Sequence, residues 1–147
     1  MMMKILKLLF ISFILSVING YIFLFLNRSF FHLKNNKIQD LSPIELGFLS
    51  LIIAPIIETI IFQFLLYVIF RSIFKIKREY LIIVLMSTAF SLSHTYHWLY
   101  MCSTFIGGII LNNFYIKVIK MKNENYAVLL TIFFHFLYNL YGFLFTM

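Results

Sequence analysis

The chain has 147 residues, of which 63% are hydrophobic and only 12% are charged. Soluble domains carry about 45–50% apolar and about 25% charged residues, so this composition excludes an ordinary soluble globule and a disordered chain. The formal net charge is +7. The basic residues lie between apolar runs, where they orient membrane helices, so we expect no nucleic-acid partner. Cys102 is the only cysteine, which excludes an intrachain disulfide.

The first apolar segment, residues 5–26, predicts a membrane helix that is retained in the protein. It is longer than the apolar core of a signal peptide, which has roughly 7–15 residues, and it lacks a convincing cleavage site. Residues 28–42 then form a polar loop that contains Lys34, Lys37 and Asp40. We assign this helix and loop, residues 1–42, to an N-terminal unit that precedes a core of residues 43–147.

The apolar pattern of the core, residues 43–147, predicts four more helices. With the first helix they form an all-α, multi-pass transmembrane bundle of about five membrane helices. Pro43 suits the first turn of a helix, and residues 44–70 are long enough to span a membrane. Residues 80–116 contain no Lys, Arg, Asp or Glu and are too long for one span. Residues 126–147 form the last span, and basic loops lie at 71–79 and 117–125. A polar cluster predicts that residues 80–116 break into two shorter helices: Ser91, Ser93, His94, Thr95 and His97.

The basic residues also predict the orientation of the bundle. If the N-terminus is cytoplasmic, nine of the 12 Lys and Arg residues fall on the cytoplasmic side, and only Arg28, Lys34 and Lys37 fall on the other. Cytoplasmic loops of membrane proteins are enriched in Lys and Arg. We therefore expect a multi-pass protein of the cell membrane with its N-terminus in the cytoplasm.

Glu58 lies in the middle of the second span, where a charged side chain is costly and therefore indicates function. Regular helices place Glu58, His94 and His135 at depths of roughly 20, 22 and 16 Å from the cytoplasmic edge. Three segments thus bring one carboxylate and two imidazoles to a common layer. Asn139, four residues after His135, shares its helix face. Pro55, just before Glu58, favours a kinked helix that opens there.

These residue types suit amide hydrolysis by an activated water. A carboxylate beside an imidazole can deprotonate water, while a second imidazole and a carboxamide can stabilise an oxyanion. Other intramembrane protease sites fit less well. The sequence has no His-Glu-x-x-His zinc motif and no Gly-x-Ser-x-Gly motif, and Asp40 is its only aspartate,.

Three motifs follow one another on separate apolar segments. They are Ala-Pro-x-x-Glu at residues 54–58, Phe-x-x-x-His at 90–94 and His-x-x-x-Asn at 135–139. In this order they resemble the CAAX-protease and bacteriocin-processing family of intramembrane proteases (CPBP, or Abi), over about residues 43–141. The resemblance implies that Glu58 and His94 activate water, and that His135 and Asn139 stabilise the oxyanion.

The first motif departs from the family pattern at two positions. Thr59 stands where the family usually has a second Glu, and Gln63 stands where it usually has Arg. The two changes together keep the local charge balanced, whereas either alone would leave a buried charge without its partner. We expect Thr59, Gln63 and Phe90 to form a supporting layer behind the catalytic groups.

The resemblance implies an intramembrane endopeptidase that acts in the lipid bilayer on a membrane-bound peptide or a lipidated, prenylated protein. No cofactor is firmly implied. Zinc bound by Glu58, His94 and His135 is possible, but Asn139 is a poor zinc ligand and a good hydrogen-bond donor, which favours a metal-free reaction. The alternatives are a catalytically silent scaffold or bacteriocin-immunity protein of the same fold, and a proton- or ion-conducting bundle.

Overall fold

The computed structural model describes residues 2–34 and 42–145, which form five helices. The described residues contain no strand, so the predicted all-α bundle is confirmed. Four helices are long and apolar enough to cross a membrane, and α3 is the shorter apolar one. The helices are α1 (Met2–Phe31), α2 (Pro43–Ile73), α3 (Glu79–Leu92), α4 (Trp98–Met121) and α5 (Glu124–Phe145).

The first loop begins later than the sequence predicted. Helix α1 continues to Phe31, so Arg28 lies in the helix and not in the loop. Lys34 follows α1, as predicted, while Lys37 and Asp40 lie outside the described residues. Helix α2 then begins with a capping box, in which the Ser42 hydroxyl and the Glu45 carboxylate each accept a hydrogen bond from the other residue's backbone N–H.

Helix α4 is longer than predicted. It has 24 residues and includes Lys117 and Lys120, which the sequence placed in a loop. The prediction of a short helix here is therefore wrong. A lysine can lie in the last turns of a membrane helix because its long side chain extends towards the polar surface. The ammonium group of Lys120 also pairs with Glu79 at 2.6 Å.

Helix α3 ends inside the bundle. Its 14 residues extend about 21 Å, which is less than the roughly 30 Å of membrane hydrocarbon. The ion pair of Glu79 with Lys120 places the start of α3 level with the end of α4. Helix α4 therefore extends roughly 15 Å beyond α3 at the other end. Residues 93–97 connect the two helices and hold polar side chains at membrane depth.

Helix α2 is continuous, but its turns are wider than α-helical turns in several stretches. The Ala54 N–H bonds to the carbonyl of Leu49, five residues back, and wide turns also occupy Thr59–Leu65. Pro55 has no N–H, so a widened turn before it lets the helix continue without that donor. The helix is thus loosened on both sides of Glu58 and does not end there.

Helix α4 packs against α1, α3 and α5 and carries much of the buried core. Gly108 lets α3 approach closely, because a Cβ at this position would lie 3.2 Å from the Ser87 backbone. The core residues that are fully or almost fully buried come from α3, α4 and α5: Ile82, Met86, Phe114, Tyr115, Val118, Ala127 and Phe134.

Candidate active site

Glu58 lies between two imidazoles that come from different parts of the bundle. Its Oε2 atom is 3.8 Å from Nε2 of His94 and 3.6 Å from Nε2 of His135. Glu58 comes from the middle of α2, His94 from the segment after α3, and His135 from the middle of α5. The structure therefore brings together the three side chains that the depth estimate placed in one layer. We refer to them as the carboxylate cluster.

The hydrogen bonds of His94 determine which of its ring nitrogens carries the proton. Nδ1 lies 2.7 Å from the backbone oxygen of Phe90, and a carbonyl oxygen can only accept. Nδ1 therefore carries the hydrogen, and it also lies 3.1 Å from the hydroxyl of Ser93. In the neutral ring, Nε2 is then a lone-pair acceptor that faces Glu58.

His135 is held differently. The residue is buried, and its Nδ1 atom has no hydrogen-bond partner among the described residues. Its position is set by packing, since the Phe90 ring lies 6.0 Å from the His135 ring and 4.5 Å from the His94 ring. Phe90 thus supports both imidazoles, and Nε2 of His135 faces the carboxylate.

The side chains of the carboxylate cluster lie close together without a direct hydrogen bond. Both Nε2–Oε2 separations exceed the length of a direct hydrogen bond, which suggests a bridging molecule. A cavity of about 80 Å³ adjoins the cluster, with His94, His135 and Asn139 on its wall. A cavity of this size with polar groups on part of its wall has room for water.

Asn139 lies on the same cavity wall, and its amide bridges to α2. Its Nδ2 atom donates a hydrogen bond of 2.8 Å to the backbone oxygen of Ser50. This bond uses one of the two N–H groups of the amide. The other N–H is available to a ligand in the cavity.

Thr59 and Gln63, at the two positions that depart from the family pattern, are fully buried. Gln63 donates to the side-chain oxygen of Asn112 at 3.0 Å, and Asn112 donates to the Ser87 hydroxyl at 2.9 Å. We call Gln63, Asn112 and Ser87 the amide chain. It connects α2, α4 and α3 through uncharged groups, one turn away from Glu58.

The sequence analysis did not identify Asn112 or Ser87 as partners of Gln63. One signal could have found Asn112, because it lies four residues after Gly108 and so shares the helix face that packs most closely. Its partners depend on how the helices are rotated, which the spacing of apolar residues did not fix.

His97 lies apart from the carboxylate cluster. Its Nδ1 atom accepts a hydrogen bond from the backbone N–H of Tyr100 at 3.0 Å, so it caps the start of α4. Capping by a side-chain acceptor satisfies a backbone donor that the helix leaves unpaired.

A metal site would need several ligand side chains close together. Across residues 2–34 and 42–145, no group of three or more His, Cys, Asp or Glu side chains is placed to hold a metal ion. The zinc site that the sequence left possible stays a prediction. We derive no catalytic step through a metal.

Comparison with known proteins identifies the family. Residues 40–141 match the family described as type II CAAX prenyl endopeptidase Rce1-like. The chain belongs to this family. The predicted CPBP resemblance is thereby confirmed, and the four long apolar helices make the protein a multi-pass membrane protein. No curated protein and no solved structure matches the chain.

Proposed function

We propose that the protein is an intramembrane endopeptidase that hydrolyses a peptide bond in a prenylated protein or another membrane-bound peptide. The observation that carries this proposal is the carboxylate cluster, in which an acceptor nitrogen of His94 and a carboxylate oxygen of Glu58 face each other beside a cavity. Membership of the Rce1-like family supports the substrate class, since that family is described as a CAAX prenyl endopeptidase.

The first step in this proposal is activation of water. A water between Glu58 and His94 would donate one hydrogen bond to Oε2 and one to Nε2, because both atoms are acceptors. This leaves a lone pair of the water oxygen directed at the scissile carbonyl. Glu58 takes the proton as the new C–O bond forms, in the role of a general base.

The second step is stabilisation of the tetrahedral intermediate and release of the amine. An N–H of Asn139 and Nε2–H of His135 donate to the oxyanion, and two such donors are the usual number in acyl-transfer sites. The C–N bond then breaks, and the proton held by Glu58 passes to the leaving nitrogen. Glu58 is ionised again, and the reaction needs no covalent intermediate.

The proposal also includes the orientation of the protein in the cell membrane. With the N-terminus in the cytoplasm, the ion pair of Glu79 with Lys120 and the basic residues near it lie at the cytoplasmic surface,. The carboxylate cluster then lies near mid-membrane, where α3 ends. A lipid-anchored peptide would reach it from the bilayer.

The experiment that tests the proposal compares cleavage by wild type and by Glu58→Gln in proteoliposomes, with farnesylated fluorogenic peptides as substrates. The glutamine keeps the size of the side chain and removes the base, so we expect the rate to fall at least about 100-fold. Glu124→Gln is the matched control, because Glu124 lies in the first turn of α5, far from the cavity. Its rate should equal that of wild type. Equal rates for wild type and Glu58→Gln would contradict the proposal.

A catalytically silent scaffold is the second candidate function. The neutral, fully buried Thr59 and Gln63 favour it, because they replace the charged pair of the family pattern and Gln63 is bonded to Asn112 in the interior of the bundle. A scaffold would bind farnesylated peptides without cutting them. Binding by wild type with no cleavage of any peptide would favour the scaffold over the protease.

A further inference from the structure

The first helix is polar on the side that it buries. The buried residues of α1 are Ile5, Ser12, Ser16 and Asn19, while most of its large apolar side chains are exposed. Ser12, Ser16 and Asn19 are spaced four and three apart, so they share one helix face. Asn19 fixes this face to α4 by donating a hydrogen bond of 3.0 Å to the backbone oxygen of Ser103.

This polar face closes the cavity beside the carboxylate cluster. Ser16 of α1 lines the cavity, together with Ser103 and Gly107 of α4. His94 and His135 line the same cavity. Three of the proposed catalytic groups, His94, His135 and Asn139, therefore share one cavity wall with the first helix, although α1 lies outside the residues 40–141 that match the family.

The size and lining of the cavity limit what can occupy it. Its volume is about 80 Å³, whereas an apolar cavity that binds benzene has a volume of roughly 150 Å³. The cavity can thus hold a short side chain but not an aromatic ring. None of the described side chains that line it is Lys, Arg, Asp or Glu, and Ser16 and Ser103 contribute hydroxyl groups.

Gly107 marks the part of the wall that can be changed with least disturbance. A Cβ atom added there would have its nearest neighbour, Nδ2 of Asn19, at 3.8 Å, which is an ordinary contact. Larger side chains at this position would extend into the space between α1 and α4. Gly47 offers a comparison, since it lies in a separate apolar groove and its added Cβ would be 3.4 Å from the Phe143 ring.

We propose that this cavity is the subsite that receives one short, uncharged side chain of the substrate next to the scissile bond, and that α1 sets its size limit. The inference rests on the proposed protease function, because the subsite takes its meaning from the catalytic groups on its wall. It assigns to α1 a part in substrate selection beyond that of a membrane anchor.

The test uses farnesylated peptides in which each of the three positions after the prenylated cysteine is changed in turn to Ala, Val or Trp. At one position, wild type should cleave the Ala peptide at least about tenfold faster than the Trp peptide. Gly107→Val should lower kcat/KM for the Val peptide about tenfold relative to the Ala peptide. Gly107→Ala should give a smaller change in the same direction, and Gly47→Val should keep the wild-type preference.

Two cleavage results would overturn the subsite. One is an absence of size preference at all three positions in wild type. The other is an equal loss of rate for every peptide in both folded Gly107 variants, which is the result expected if the cavity only stores water.

Measurements of peptide binding test the proposed subsite separately from catalysis. Glu58→Gln should still bind the Ala peptide at least about tenfold more tightly than the Trp peptide. If wild type cleaves nothing, the proposed function fails, and this binding ratio still supports the subsite. Equal affinities, or no binding of any peptide, would overturn it.

Discussion

Two groups of polar side chains lie inside this bundle, and they are bonded in opposite ways. The amide chain is closed apart from Oε1 of Gln63, which has no partner among the described residues; its members are fully buried and joined by hydrogen bonds of 3.0 and 2.9 Å. The carboxylate cluster is open, because its members are separated by 3.6 and 3.8 Å and its two histidines line a cavity. The first arrangement holds three helices together, and the second leaves donors and acceptors available to a ligand.

This contrast suggests how the chain tolerates its two departures from the family motif. A buried ion pair that loses one partner leaves a charge without compensation. Here both positions are neutral, and Gln63 is bonded to Asn112. The interior is therefore stabilised by the amide chain, while Glu58 keeps the charge that the proposed chemistry requires.

The largest effect is expected from a change within the carboxylate cluster. His94→Ala removes the acceptor nitrogen that faces Glu58 and should lower kcat about 100- to 1,000-fold. Thermal stability should change little, since the side chain is only partly buried and its hydrogen bonds are to the neighbouring residues Phe90 and Ser93. Cleavage assays and thermal unfolding of the purified variant in detergent measure the two quantities.

His97→Ala is the matched control for His94. It removes the cap of α4 and should destabilise the protein by about 1 kcal/mol, with kcat unchanged in the folded protein. Equal losses of kcat in the two variants would remove the distinction between the imidazole of the carboxylate cluster and the capping imidazole.

A smaller effect, on stability, is expected from a change within the amide chain. Asn112→Leu leaves the Gln63 donor and the Ser87 hydroxyl without this partner. Hydrogen bonds between membrane helices contribute about 0.6 kcal/mol on average and about 1.7 at most, so we expect a loss of about 1–2 kcal/mol for the two bonds. Unfolding measurements check this value, and the kcat of the folded fraction should stay within about twofold of wild type.

The opposite outcome for Asn112→Leu would contradict the purely structural role assigned to the amide chain. If kcat falls 100-fold while stability is unchanged, the amide chain acts on the chemistry and the contrast between the two groups does not hold. Gln63→Leu combined with Asn112→Leu sharpens the test, because replacing both partners with apolar groups should recover part of the lost stability.

The smallest effect is expected from metal removal. The described residues provide no group of three ligands for a metal ion, and the proposed water is activated by Glu58 and His94. Dialysis against a strong chelator should therefore leave the rate of peptide cleavage unchanged. A loss of activity that is restored by added zinc would identify the carboxylate cluster as a metal site.

Much of the bundle could be predicted from the sequence because membrane spans require long apolar runs. The break after α3 could be predicted from the polar residues near His94. Glu58, His94 and His135 could be selected because ionisable and strongly polar groups are rare at membrane depth. Their common depth followed from helix rise alone, which is insensitive to helix rotation.

Features that depend on helix rotation or on individual contacts could not be predicted in this way. The length of α4 was underestimated because Lys117 and Lys120 resemble loop residues, although their side chains can extend to the surface from within a helix. The wide turns of α2 beside Pro55 leave no periodic signal. The bond of Asn112 to Gln63 requires both helices to be correctly rotated, and one sequence does not fix that rotation.

The proposed chemistry depends most on the contact that α2 and α5 make between Glu58 and His135 inside the bundle. Cysteine cross-linking tests it most directly, in a Cys102→Ser background that removes the only native cysteine. We predict that a short bifunctional thiol reagent joins Glu58→Cys to His135→Cys. It should not join Glu58→Cys to Phe133→Cys, because Phe133 is exposed on the same helix. Cross-linking of the Phe133 pair without the His135 pair would contradict the account.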